Sequence, residues 1–175
     1  MSRPLGPLAG PSQHGGSSIE GLPPCWRLRD DNPNEWIWTP RAQRRHDLSQ
    51  WLEVPVPMSV QEAFWRAGQL ANPYRDLNSR LAEWVEHRDW VYGLDFSLAP
   101  PPPGRRVFIE FDSVADSCML FLNGTLVGQH EGPGAPFYFE IGPALREDSN
   151  QLLLVIRAPQ QEDPQTGWTE RTASV

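Results

Sequence analysis

The 175-residue chain is long enough for one domain with tails, and its net charge of −7 lacks the basic face that nucleic-acid binding needs. No apolar run approaches the roughly 20 residues of a membrane span. The 19 prolines and 14 glycines favour many turns and short strands over long helices.

Residues 1–20 are rich in Pro, Gly and Ser, lack periodicity and read as a disordered tail. They contain no apolar secretory core, so a cytoplasmic protein is expected. A domain is expected over 21–160, followed by a polar segment at 161–175 that leads towards domains outside this chain. Its first ordered pieces are Cys25 to Arg29 and a short strand over Glu35-Trp36-Ile37-Trp38. Trp51 to Pro57 is extended and proline-punctuated, as an edge segment would be.

Ser59-Val60-Gln61-Glu62 has the form of a capping box, and Val60, Ala63, Phe64 and Ala67 follow at helical spacing up to Gly68. A helix is predicted over 59–67. Asp76 can cap a second short helix carrying Leu77, Leu81, Trp84 and Val85 on one face.

From Asp89 the pattern changes to strands. Trp90, Tyr92, Leu94 and Phe96 alternate with smaller or polar residues, which predicts a half-buried strand. Further strands are expected at 107–111, 117–122, 125–129, 136–141 and 151–157. Asn123-Gly124 lies between two apolar runs and is a strong hairpin signal, because both central residues of that turn need positive φ. The same turn accounts for the glycosylation-like Asn123-Gly124-Thr125. Short strands with closely spaced turns predict an all-β fold: an antiparallel β-sandwich with one or two short helices.

Little in the chain can carry chemistry. All 15 basic residues are arginine, which excludes lysine nucleophiles. There is no CxxC, no HExxH and no histidine cluster, so no metal site and no cofactor is expected. Cys118 sits in an apolar run and reads as a buried thiol rather than half of a disulfide. Hydrolysis of a glycoside needs two carboxylates about 5 to 10 Å apart, and no acidic pair here has a recognisable pocket spacing. Glu83 and Glu86 read as a solvated face, and Asp112 and Asp116 as turn caps. No catalytic residue is assigned. The eight tryptophans are the unusual feature, since flat sugar faces stack on such rings. Packing accounts for most of them. Trp84 and Trp90, set among Glu86, His87 and Asp89, are the candidates for sugar contact, with Asp89 as their acidic partner.

Four segments carry a resemblance: Phe111 to Gly124, Val127 to Gly132, Pro136 to Ile141 and Asn150-Gln151-Leu152. Together they resemble the N-terminal jelly-roll, galactose-binding-domain-like domain of family 2 glycoside hydrolases. Val56-Pro57, Asn72-Pro73-Tyr74 with Asn78, and Trp84-Val85-Glu86 leading into Asp89-Trp90-Val91-Tyr92 are similar to its β-mannosidase-like branch. Ala115 and Met58 depart from it, standing where the family often has aspartate and glycine. The resemblance covers about residues 22–160. It implies a non-catalytic domain that meets carbohydrate through its parent enzyme and packs against a catalytic (β/α)₈ barrel within the same polypeptide. That barrel would hold the acid/base and nucleophile glutamates of a retaining mechanism. The family's sugar-contacting Trp-Asp-type motif is not matched by Gly167-Trp168-Thr169, so no substrate residue is carried over. A free-standing carbohydrate-binding module and a purely structural β-sandwich are the two other readings.

Overall fold

Alternating apolar residues make eight strands in a computed structural model, which describes residues 21–33, 43–75, 77–114, 117–132 and 134–158. They are β1 (Cys25–Asp31), β2 (Leu52–Pro55), β3 (Asp89–Phe96), β4 (Phe108–Phe111), β5 (Cys118–Leu122), β6 (Thr125–His130), β7 (Phe137–Glu140) and β8 (Asn150–Ile156). Six of them form an antiparallel sheet in the order β2-β1-β3-β8-β5-β6, and β4 pairs with β7 in a second sheet. The fold is the expected all-β sandwich. The proposed strand at 35–38, the Asp76 cap and both terminal segments lie outside the described residues.

The main core lies between the sheets. Trp26 and Leu28 of β1, Trp90 and Leu94 of β3, Leu152 and Leu154 of β8, and Leu120 and Leu122 of β5 point inward. They meet Ile109 and Phe111 of β4 and Phe137 of β7. Phe111 and Phe137 stack at 5.1 Å, and His130 lies parallel to Phe137 at 4.0 Å.

The outer face of the large sheet differs from the half-buried expectation. Val91, Met119, Phe121, Leu153 and Val155 form a second buried cluster with Leu48 and Trp51. A segment ending in a 3₁₀ turn, Leu48–Gln50, lies across this face. β8 is therefore apolar on both faces, which explains its unbroken Leu-Leu-Leu-Val run. Gly93 makes room for this cover: a Cβ there would lie 2.8 Å from Leu48 Cδ2.

The turn and the first helix follow their sequence signals. Asn123 and Gly124 have φ of 52° and 84°, as the tight hairpin turn requires. Asn123 Nδ2 donates to Ala144 O and to Asn150 Oδ1, both at 2.8 Å, so the side chain that a glycan would use is committed inward. Helix α1 (Val60–Arg66) starts where Ser59 Oγ accepts from the Glu62 amide at 3.2 Å. It closes at Gly68, with φ of 73°.

The second helix is a 3₁₀ helix, Asn78–His87, and this changes its faces. With about three residues per turn, Ala82 and Val85 align and turn inward. Leu77 and Leu81 are exposed instead of sharing the face of Val85.

Two outcomes follow for the core. In β6, Gly128 sits under the ring of Phe139, into which a Cβ would be driven. Gly128→Ala is expected to cost about 1–3 kcal/mol from overpacking, read as a lowered urea midpoint at unchanged slope. Cys25 and Cys118 are both free thiols, but Cys118 is buried, and burial pushes its pKa up to about 11. A thiol reagent at neutral pH should label Cys25 in the native protein and reach Cys118 only on unfolding.

Candidate functional site

The residues singled out for sugar contact lie where the 3₁₀ helix runs into β3. Hairpin-like alternation sends Trp90 inward, while the helix leaves Trp84 at the surface just outside it. The two rings are 5.8 Å apart, and Phe64 of α1 closes the triangle at 5.7 Å from Trp84 and 5.4 Å from Trp90. Phe64 meets both in edge-to-face fashion, the geometry that aromatic quadrupoles favour.

Their exposures differ sharply. Trp90 is buried at 5%, and its Nε1–H donates to Val85 O at 2.8 Å. Asp89 is also buried, with Oδ1 accepting from the Ala158 amide at 2.8 Å. Trp84 keeps 38% of its surface. So the structure brings Trp84 and Trp90 together but turns the Asp89 carboxylate away into the fold. Of the three, Trp90 and Asp89 are buried and Trp84 alone keeps an exposed face.

Beside Asp89, ion pairs fix the end of the sheet. Arg88 Nε donates to Asp30 Oδ2 at 3.0 Å, and its Nη1 donates to Asn32 Oδ1 at 2.6 Å. Asp31, buried opposite Asp89 in the β1–β3 ladder, accepts from Arg29 Nη2 at 3.1 Å. These bonds tie the charged groups of the junction to the strand ends. Among the described residues no group of three or more His, Cys, Asp or Glu is arranged to hold a metal ion, and no helix is long and apolar enough to cross a membrane.

The exposed apolar neighbours of Trp84 were not singled out by sequence reasoning. Tyr74, Leu77 and Leu81 are 72%, 68% and 61% exposed. Tyr74 packs its ring edge-to-face on Trp65 at 6.2 Å. With Trp84 itself, four large apolar side chains thus stand exposed on one short stretch of chain. An α-helical spacing places Leu77 and Leu81 on one face with Trp84 and the buried Val85, which hides their exposure.

The family model for the glycosyl hydrolase 2 galactose-binding-like domain matches residues 26–170. The chain belongs to this family. It is 28% identical over 123 residues to β-mannosidase B of Thermothelomyces thermophilus, covering 70% of this chain and 14% of that protein. A β-D-mannosidase structure from Dictyoglomus thermophilum superposes with a TM-score of 0.60 at 20% identity, over 77% of this chain and 15% of that one. A β-glucuronidase from an uncultured Clostridium sp. gives 0.62 at 19% identity, over 90% and 25%. The glycosyl hydrolase 2 domain therefore spans about a seventh of the mannosidase relative's length.

The burial difference has a measurable consequence. Trp90→Ala removes a core ring and its hydrogen bond to the Val85 carbonyl, so a loss of about 3–5 kcal/mol is expected. Trp84→Ala should cost only about 1 kcal/mol. Chemical denaturation of the two variants checks this; equal losses would mean that Trp84 is held by the fold as firmly as Trp90.

Proposed function

We propose that this chain is the non-catalytic N-terminal domain of a β-mannosidase-like exo-glycosidase. It packs against a catalytic barrel carried elsewhere in the full-length polypeptide, and Trp84 shapes one wall of the sugar pocket there. The observation that carries the reading is the apolar surface of Tyr74, Leu77, Leu81 and Trp84. Large apolar groups exposed along one short stretch of chain suit an interaction site. The relatives support the choice of partner: a β-mannosidase about seven times longer than the matched region holds most of its chain outside this domain.

The chemistry of the surface suits both roles. Leu77 and Leu81 have no hydrogen-bonding groups to offer a sugar, so they dock against protein. Trp84 adjoins them with its ring braced from behind by Trp90 and Phe64. A ring held in this way can stack on the apolar face of a terminal sugar with little further loss of rotamer freedom. Asp89 acts indirectly by fixing the start of β3. The acid/base and nucleophile are assigned to the barrel.

Kinetics of the full-length protein on an aryl β-mannoside test the proposal. Trp84→Ala is expected to lower kcat/KM by about tenfold or more, which is ~1.4 kcal/mol of transition-state binding. Leu81→Asp should uncouple the domains, seen as a separate, earlier melting transition. Unchanged kinetics in the Trp84, Asp89 and Trp90 alanine variants, with one unsplit transition in Leu81→Asp, would overturn it.

A further inference from the structure

On the opposite face of β3 from Trp90, and near its other end, the large sheet carries an open depression of about 700 Å³. That volume lies within the roughly 300–1,000 Å³ range of small-molecule clefts. Gly93 and Asp95 of β3 line it on one side, and the segment bearing Arg45, Asp47 and Ser49 on another. That segment is held firmly. His46 N donates to Gln151 Oε1 at 2.7 Å, and Gln151 Nε2 donates back to His46 O at 2.8 Å. Leu48 plugs the space above Gly93 from the same segment.

The rim combines fixed donors with fixed acceptors. Arg27 uses Nη2 on Glu53 at 2.7 Å. Arg45 uses Nη2 on Asp95 Oδ1 at 3.0 Å and Nη1 on Ser149 Oγ at 2.8 Å. Asp47 Oδ1 accepts from the Ser49 amide at 2.9 Å, which holds its carboxyl below the usual range and so ionised. Among the described residues this leaves Arg27 Nε and Nη1, Arg45 Nε, Asp95 Oδ2 and Asp47 Oδ2 without hydrogen bonds. The guanidiniums are oriented by their ion pairs yet retain free N–H groups; beside Arg45, Asp95 keeps a free oxygen, whereas Glu53 beside Arg27 also accepts from Cys25 Sγ at 3.2 Å.

We infer that this depression binds a neutral polyhydroxylated ligand, a mono- or disaccharide. A sugar hydroxyl both accepts and donates, so adjacent hydroxyls can take an N–H from Arg27 or Arg45 while giving a proton to Asp95 or Asp47. A simple anion would meet Asp47, Asp95 and Glu53, and a simple cation the two arginines, so neither matches the rim. Because ion pairs already order the side chains, binding spends little conformational entropy on them. The inference is independent of the docking role of Trp84, which uses the other face of the sheet.

The test is titration of the 175-residue chain with methyl β-mannoside and β-1,4-mannobiose, read by amide chemical shifts. Glucuronate and inorganic phosphate are run beside them. Saturable shifts at millimolar sugar, centred on Ser49, Gly93 and Asp95, are expected with one or both sugars. Asp95→Asn and Arg27→Gln should each weaken binding about tenfold, and Trp84→Ala should leave it unchanged. Asp47→Asn, on the exposed rim, guards against a folding defect in the Asp95 variant, and melting curves confirm that each variant is folded. No saturation with either sugar, preference for glucuronate or phosphate, or loss of binding only in Trp84→Ala would each overturn the inference. None of these results bears on the kinetics of the full-length enzyme, so the two proposals fail separately.

Discussion

Two neighbouring amides at the start of β8 hold the sandwich together. Asn150 points inward and is fully buried. Its Oδ1 accepts from Arg146 N and Asn123 Nδ2, and its Nδ2 donates to Leu98 O and Arg146 O. All four hydrogen-bonding positions of the amide are used. Through them one side chain fixes the Asn-Gly hairpin, the loop leaving β3 and the entry into β8. Gln151 faces the other side of the sheet and exchanges two bonds with the backbone of His46, as a neighbouring strand would. A buried network satisfied at every member specifies one arrangement, because each alternative leaves a polar group unpaired at a cost of about 1–3 kcal/mol.

The consequence of Gln151 reaches beyond its own bonds. By pinning residues 45–49 to the outer face it brings Leu48 and Trp51 over Val91, Leu153 and Val155. Strands β3 and β8 can then be apolar on both sides without presenting a greasy sheet to water. Gly93 belongs to the same solution, since a Cβ there would crowd Leu48 and Trp51 and force them to shift. The polar depression beside it is the margin of this cover, where the segment departs from the sheet and arginine–carboxylate pairs take over from apolar contacts.

These facts explain what could be read from the chain and what could not. Local signals were legible because their physics is local. The Asn123-Gly124 turn, the Ser59–Glu62 cap and the period-two strands each depend on residues a few positions apart. The six-stranded order and the covered outer face depend on partners such as His46 and Gln151, 105 positions apart, and no short window contains both. The Asn78–His87 stretch was misread for a different reason. An α-helical period groups Leu77, Leu81, Trp84 and Val85, whereas a 3₁₀ period aligns Leu81 with Trp84 and Ala82 with Val85 and leaves Leu77, the N-cap, apart from both. That change of period splits the expected common face, burying Val85 and exposing Leu77 and Leu81. Of the candidate site, the Trp84–Trp90 proximity was visible in the spacing, while the inward turn of Asp89 towards Ala158 was not.

The same helix closes the fold with one face and leaves apolar side chains exposed on another. Ala82 and Val85 close the sandwich beneath it, and the Val85 carbonyl satisfies the Trp90 indole. With the domain's own need for burial met by those two residues, Leu77 and Leu81 contribute no buried contact comparable to theirs and remain at the surface. Trp84 lies at the boundary, half in the aromatic triangle and half outside it. A ring anchored on one edge and open on the other keeps its orientation when a second surface arrives, so the order needed for contact is present before the contact forms.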